Sequence, residues 1–226
     1  MLTFDIITIF PEMFGSYTNE SLLKRGQKKK LLRIRVHNLR KWTKDKHHTV
    51  DDRPFGGGLG MVMKVEPIYR AVQAVKLKNK KTKVILFTPR GKKFDQQMAD
   101  RYSKLDQLVF ICGRYEGVDE RVAKHIADEE ISLGDYVLMG GEVAAMAVME
   151  TVSRLISGVI AKPQIIDERV TKDRGFIEYA EYTRPEVFET KDKKKWRTPK
   201  VLLTGDHKKI EVWKKEHGKE VGKLEK

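Results

Sequence analysis

The chain has 226 residues, 40% of them hydrophobic, a formal net charge of +14 and a single cysteine. That length allows a real core in one large or two small domains; the absence of any run of 18 apolar residues excludes a helical membrane span, and one cysteine excludes an internal disulfide, as expected in a reducing cytoplasm. The charge predicts a polyanionic partner, nucleic acid above all, and residues 191–226 carry half of the excess, with 13 Lys or Arg against 6 Asp or Glu.

In chain order, the opening "MLTFDIITIFPEMF" begins as a strand, Thr3–Phe10, and lacks the basic start and long apolar stretch of a signal peptide. A helical pattern follows over Pro11–Gln27, with Pro11 suited to a first turn. Strands are then predicted at Arg33–Leu39, Lys83–Thr88, Leu108–Gly113 and Tyr136–Met139, and helices at Pro67–Lys78, Phe94–Leu105, Glu120–Ala127 and Glu142–Ile156. This alternation predicts an α/β domain with a mostly parallel sheet. After Ile156 the period is lost. The reading is a domain over 1–160, a linker over 161–175 and a small basic, mainly helical domain over 176–226, with an apolar strip at Ile210 and Trp213.

Standard motifs are missing. No segment fits the P-loop, the dinucleotide fingerprint fails because Met61 stands where its third glycine belongs, and one Cys with scattered His cannot build a zinc site. What remains are three glycine-bearing turns at strand ends: "TPRG" (Thr88–Gly91), "GRYEG" (Gly113–Gly117) and "SLGDYVLMGGE" (Ser132–Glu142). Ligands of open α/β sheets bind beyond the carboxyl ends of strands. Three such turns in series can surround one flat, polar-edged ligand. A fourth stretch, "DDRPFGGGLGMVM" (Asp51–Met63), sets two carboxylates beside three glycines, a loop whose backbone can approach a ligand closely. Cys112, inside "LVFICG", reads as a small buried hydrophobe rather than a nucleophile.

These blocks, with "SRLISGV" and "YTRPEVF", stand in an order and spacing that resembles bacterial tRNA (guanine-N1)-methyltransferase, the TrmD type of the SPOUT class, from Met1 to about His217. The resemblance implies a deep trefoil knot in the C-terminal part of the α/β domain. It implies S-adenosylmethionine bound by Pro89, Gly91, Gly113, Tyr115, Glu116, Ser132, Leu133, Gly134, Tyr136, Leu138, Gly140 and Gly141. It further implies a homodimer with active sites shared between subunits, and methylation of N1 of the guanosine immediately 3′ of the anticodon. By the same resemblance, Asp51, Asp52, Arg53, Gly56, Gly57 and Gly58 lie beside the target base, and Arg154 matches the active-site arginine. On the sequence alone Arg154 reads as an ordinary exposed residue of the Glu142–Ile156 helix. Relatives are associated with Mg²⁺, but no metal-ligand cluster is evident in the sequence.

The chain departs from the family pattern in places. Arg90 stands where Gln is usual. The catalytic Asp-Ser-Phe of the interdomain loop is not readable, since Arg169 or Val170 falls at the Asp position. Glu168, then Asp167, are the nearest carboxylates to act as base, with Asp173 too close to Gly175. This gap keeps two alternatives open: an RNA-binding protein of the same fold without catalysis, and a knotted methyltransferase for another RNA site. Lys193, Lys194 and Lys195 are expected to contact tRNA phosphates rather than bases, because the tail is lysine-rich and has few aromatics for stacking.

Overall fold

A computed structural model describes residues 1–161 and 176–221. The chain divides into two compact units, Met1–Gln164 and Ile165–Lys226. In the first unit the elements run β1 (Leu2–Thr8), α1 (Gly15–Thr18), α2 (Ser21–Lys28), β2 (Leu32–Asn38), β3 (Asp51–Asp52), β4 (Val62–Met63), α3 (Val65–Val75), β5 (Thr82–Lys93), α4 (Gln96–Ser103), β6 (Gln107–Ile111), α5 (Glu120–His125), β7 (Glu129–Ser132) and α6 (Glu142–Arg154). Five strands form one parallel sheet in the order β2-β1-β6-β5-β7.

Both faces of this sheet are covered, which is why its central strands read as continuous apolar runs rather than alternating ones. Phe4, Ile6, Ile85, Phe87, Leu108 and Phe110 point to one face and pack under α4 and α6. Ile7, Val84, Leu86, Val109 and Ile111 point to the other and pack under α3 and α5. The α/β expectation with a parallel sheet therefore holds.

Three elements differ from the sequence reading. The predicted helix Pro11–Gln27 is broken: Pro11 opens a 3-10 turn that ends at Phe14, and Glu20 is extended (φ −124°) before α2 begins. Gln27 Nε2 donates to the Thr18 carbonyl, satisfying the end of the first piece from the side. The last strand is Glu129–Ser132, not Tyr136–Met139. Ser132 Oγ accepts from Gly134 N–H and donates to Gly134 C=O, closing a local turn that ends the strand and leaves Tyr136–Met139 irregular. Strand β5 also runs past its predicted end. Thr88–Gly91 bulges out between Phe87 and Lys92, both of which pair with Ile131.

Asp5 sits fully buried in the middle of β1. Arg35 donates to it from Nε and Nη2, both at 2.7 Å, His37 Nε2 lies at 2.6 Å and Gln107 Nε2 donates at 2.6 Å. Burial pushes its pKa up, but the hydrogen bonds from His37, Arg35 and Gln107 together outweigh burial and hold it below the ordinary 3.8. A carboxylate with a depressed folded pKa stabilises the fold above its unfolded value and loses that contribution as pH falls through the folded one. The urea midpoint is therefore expected to drop below about pH 4, with less of a drop in Asp5→Asn, measured by equilibrium unfolding from pH 6 to pH 2.

The second unit differs from the mainly helical prediction. Among its described residues it has one ten-residue helix, α7 (His207–Glu216), and two antiparallel pairs: β8 (Phe176–Tyr179) with β11 (Gly218–Val221), and β9 (Val187–Glu189) with β10 (Lys195–Arg197). The i, i+3 spacing of Ile210 and Trp213 gave the helix away. Strands of three and four residues are too short to show a period.

Candidate active site

A cleft of about 390 Å³ opens at the carboxyl ends of the adjacent strands β6, β5 and β7. The three glycine-bearing turns converge on it. Pro89 and Arg90 come from the β5 bulge, Gly113 to Val118 from the turn after β6, and Ser132, Leu133 and Tyr136 to Gly141 from the segment between β7 and α6. Of the twelve residues expected around one ligand, ten line this cleft; Gly91 and Gly134 do not.

Main-chain geometry explains why the turns need glycine. A Cβ at Gly91 would lie 2.5 Å from the carbonyl carbon of Glu130 and the nitrogen of Ile131, and one at Gly141 would lie 2.7 Å from the Cα of Cys112. At both places backbone passes directly against backbone. Gly141 N–H also donates to Gly113 C=O at 3.0 Å, tying two of the turns together.

Among the described residues, the main-chain N–H groups of Leu133, Leu138 and Gly140 donate to no protein acceptor. All three residues line the cleft, so these N–H groups are available as donors to a ligand there. The apolar floor comes from Leu86, Phe87, Val118, Ile131 and Ala144. At the rim, Arg90 is held by Glu120 at 2.5 Å and Glu130 at 2.9 Å. The hydrogen bonds that it donates to Glu120 first, then to Glu130, raise its pKa further. Its charge is thus matched locally instead of being offered to a ligand.

Arg114, which lines the cleft, and the buried Glu142 and Thr8 behind it carry no role in the sequence reading. Glu142 is fully buried; its Oε1 accepts from Thr8 Oγ1 at 2.7 Å and its Oε2 from Arg114 Nε at 2.8 Å. Arg114 also lies over the Phe10 ring at 4.8 Å. The signal was present, since Arg114 and Glu142 stand inside the "GRYEG" and "MGGE" blocks. Cys112 is buried beside them, and burial pushes its thiol well up, with the Glu142 charge adding, so it is no nucleophile.

The Asp51–Met63 stretch is a small hairpin, β3 against β4. It is pinned to the "GRYEG" turn: Glu116 N–H donates to Met61 C=O, Met63 N–H to Gly117 C=O and Asp119 N–H to Met63 C=O. Gly56, Gly57 and Gly58 all have positive φ (86°, 81° and 124°), which L side chains rarely adopt. Phe55 and Leu59 beside them are fully exposed. Asp51 is half-buried, whereas Asp52 is exposed and accepts from Arg53 N–H. The loop and the cleft are therefore neighbours.

Arg154 is not brought to the cleft within one chain. It ends α6, about 18 Å along the helix from Glu142, and lines a second cleft with Tyr17, Glu20 and Glu150. Lys193, Lys194 and Lys195 are exposed in the second unit. Asp167 and Glu168 lie outside the described residues.

An open parallel sheet with a cleft at its strand ends, walled by main chain from three turns, defines a ligand-binding α/β protein of the kind that holds a flat molecule edged with heteroatoms. Residues 2–226 match the family described as tRNA (Guanine-1)-methyltransferase TrmD. The chain is 49% identical over 214 residues to the tRNA (guanine-N(1)-)-methyltransferase of Citrifermentans bemidjiense, covering 95% of this chain and 84% of the relative. It is 48% identical over 211 residues to that of Carboxydothermus hydrogenoformans (93% and 80%), and 49% identical over 215 residues to that of Dictyoglomus turgidum (95% and 84%). The chain belongs to the tRNA (guanine-1)-methyltransferase family.

Proposed function

We propose that this protein transfers the methyl group of S-adenosylmethionine to N1 of the guanosine immediately 3′ of the anticodon in tRNA, acting in the cytoplasm as a homodimer. The observation that carries the reading is the cleft formed by the three turns in a chain of this family. Its volume suits a ligand of that size, and the free N–H groups of Leu133, Leu138 and Gly140 suit the edge of an adenine and its ribose. In this reading the β5 bulge and the 132–141 segment belong to a deep trefoil knot in a domain over 1–160. A linker over 161–175 then leads to a tRNA-gripping domain over 176–226.

S-adenosylmethionine, when bound, supplies an electrophilic methyl carbon. The remaining work falls to the chain. Gly56–Gly58 and the pinned hairpin bring backbone close to the target base, and Asp51 offers a carboxylate to the guanine N–H edge. Arg53 is exposed for phosphate. The N1 proton passes to a carboxylate, Glu168 or failing that Asp167, both outside the described residues. Partial desolvation against the bound base makes such a group a better acceptor. Glu168→Gln is expected to slow single-turnover methyl transfer by about 10²-fold while calorimetric cofactor affinity stays within about two-fold. If Glu168→Gln together with Asp167→Asn leaves the rate unchanged, the base lies elsewhere.

The homodimer reading is supported by two features of the first unit. Phe10, Met13, Val137, Met139 and Val143 are exposed apolar side chains, and Phe10 and Met13 gather around Arg114 at the cleft edge. The distance of Arg154 from the cleft fits an arginine that serves the other subunit's site, steadying charge on the guanine O6 edge. Sedimentation of Met139→Asp should give a monomer without methyl transfer; an active monomer would remove the shared-site reading. Among the described residues no group of three or more His, Cys, Asp or Glu side chains is placed to hold a metal ion. Digestion of treated tRNA should yield N1-methylguanosine, and any other methylated nucleoside would reassign the target atom.

A further inference from the structure

The β9–β10 ribbon carries a feature beyond its lysines. Phe188 and Trp196 are direct cross-strand partners, so both rings stand on the same face of the ribbon. Their centroids are 5.6 Å apart and their planes 39° apart, too tilted to stack on each other. Phe188 is 52% exposed and Trp196 64%. Val187, on the opposite face, is the half-buried residue of the pair of strands. The ribbon therefore turns its largest apolar side chains to solvent.

A cross-strand aromatic pair stabilises a hairpin on its own account, but that role does not require more than half of each ring to be in water. The surrounding charge points to an occupant. Lys193 and Lys194 sit in the connecting turn, which is closed by Thr190 N–H to Lys194 C=O, Lys193 N–H to Thr190 C=O and Lys194 N–H to Thr190 Oγ1. The lysines thus project from a fixed turn at one end of the ribbon. Lys195 and Arg197 precede and follow Trp196 in β10, so their side chains stand on the opposite face, where Lys195 lies 3.8 Å from the Glu189 carboxylate.

We propose that this ribbon is a stacking platform for unpaired RNA bases. Trp196 with Phe188 supplies the π-face, and Lys193 and Lys194, in the turn at one end of the ribbon, hold the phosphates. Exposed aromatics interleaved with cations are how proteins hold single-stranded RNA, because every base has a π-face and every linkage a charge. The proposal rests on the tRNA reading above and extends it. The lysines set phosphate contact, as the sequence predicts, but the aromatic pair adds contact with bases that the tail's composition hides.

The test uses the full chain and two RNA probes, an anticodon stem–loop and a fully paired duplex of equal length, with affinity measured by fluorescence anisotropy over a salt series. Trp196→Ala and Trp196→Leu should weaken stem–loop binding by about 5- to 150-fold, leave duplex binding unchanged and leave the salt slope unchanged. Trp196→Phe should stay close to wild type. Lys193→Ala with Lys194→Ala and Lys195→Ala should lower the slope for both probes. Trp196→Leu preserves an apolar partner for Phe188, so a ribbon that merely needs packing would bind normally in that variant. Wild-type affinity of Trp196→Leu for the stem–loop overturns the platform, and so does equal weakening for both probes. If Trp196→Leu instead changes self-association with RNA affinity intact, the ribbon faces a second copy. A wild-type chain that binds S-adenosylmethionine but neither RNA overturns the tRNA reading itself, a distinct result.

Discussion

Replacing Gly91 by alanine is expected to abolish S-adenosylmethionine binding and lower the melting temperature. The added methyl would sit 2.5 Å from the carbonyl carbon of Glu130 and the nitrogen of Ile131, and 2.7 Å from the Glu130 oxygen. All three are backbone atoms, so no rotamer change relieves the overlap. Overpacking costs about 1–3 kcal/mol where side chains can yield; here either the Thr88–Gly91 bulge or strand β7 must move. Both carry cleft walls, Pro89 and Arg90 on one and Ile131 and Ser132 on the other. Gly15→Ala is the control. It is helical at φ −58° with nothing within 4 Å, and should be neutral or slightly stabilising. Calorimetric titration and thermal unfolding of the two variants decide the matter. Wild-type cofactor affinity in Gly91→Ala would contradict the close backbone passage.

The second large effect concerns Glu142. Its carboxylate is fully buried and joins Thr8 on β1, Arg114 in the "GRYEG" turn and the start of α6. Removing one partner of a buried ion pair strands the other and costs about 3–5 kcal/mol. Glu142→Ala should lose stability on that scale in urea unfolding, with Arg114 released from the cleft edge. Glu142→Gln keeps one hydrogen-bond acceptor and should cost less. Equal, small losses in both would mean that Arg114 finds solvent easily and the pair does not organise the edge.

Most of what positions the cleft was legible in the residues. Apolar runs at Thr3–Phe10, Lys83–Thr88 and Leu108–Gly113 gave three adjacent strands of the sheet, and glycines after the last two and in Ser132–Glu142 marked the turns that meet. Strand β7 was missed because "EEIS" shows only one apolar residue, while "YVLM" imitates a strand and forms cleft wall instead. The Thr8–Glu142–Arg114 cluster joins residues up to 134 positions apart, which no local pattern reveals. The Phe188–Trp196 pair depends on register across a turn, and register is a property of pairing rather than of composition.

The central claim is that the chain methylates one particular guanosine. It is tested most directly by incubating the protein and labelled S-adenosylmethionine with paired tRNA transcripts that differ only at the position 3′ of the anticodon. Label should enter the transcript with guanosine there and be absent from its partner. Equal labelling of the two, or none in either from a chain that binds the cofactor, would contradict the account.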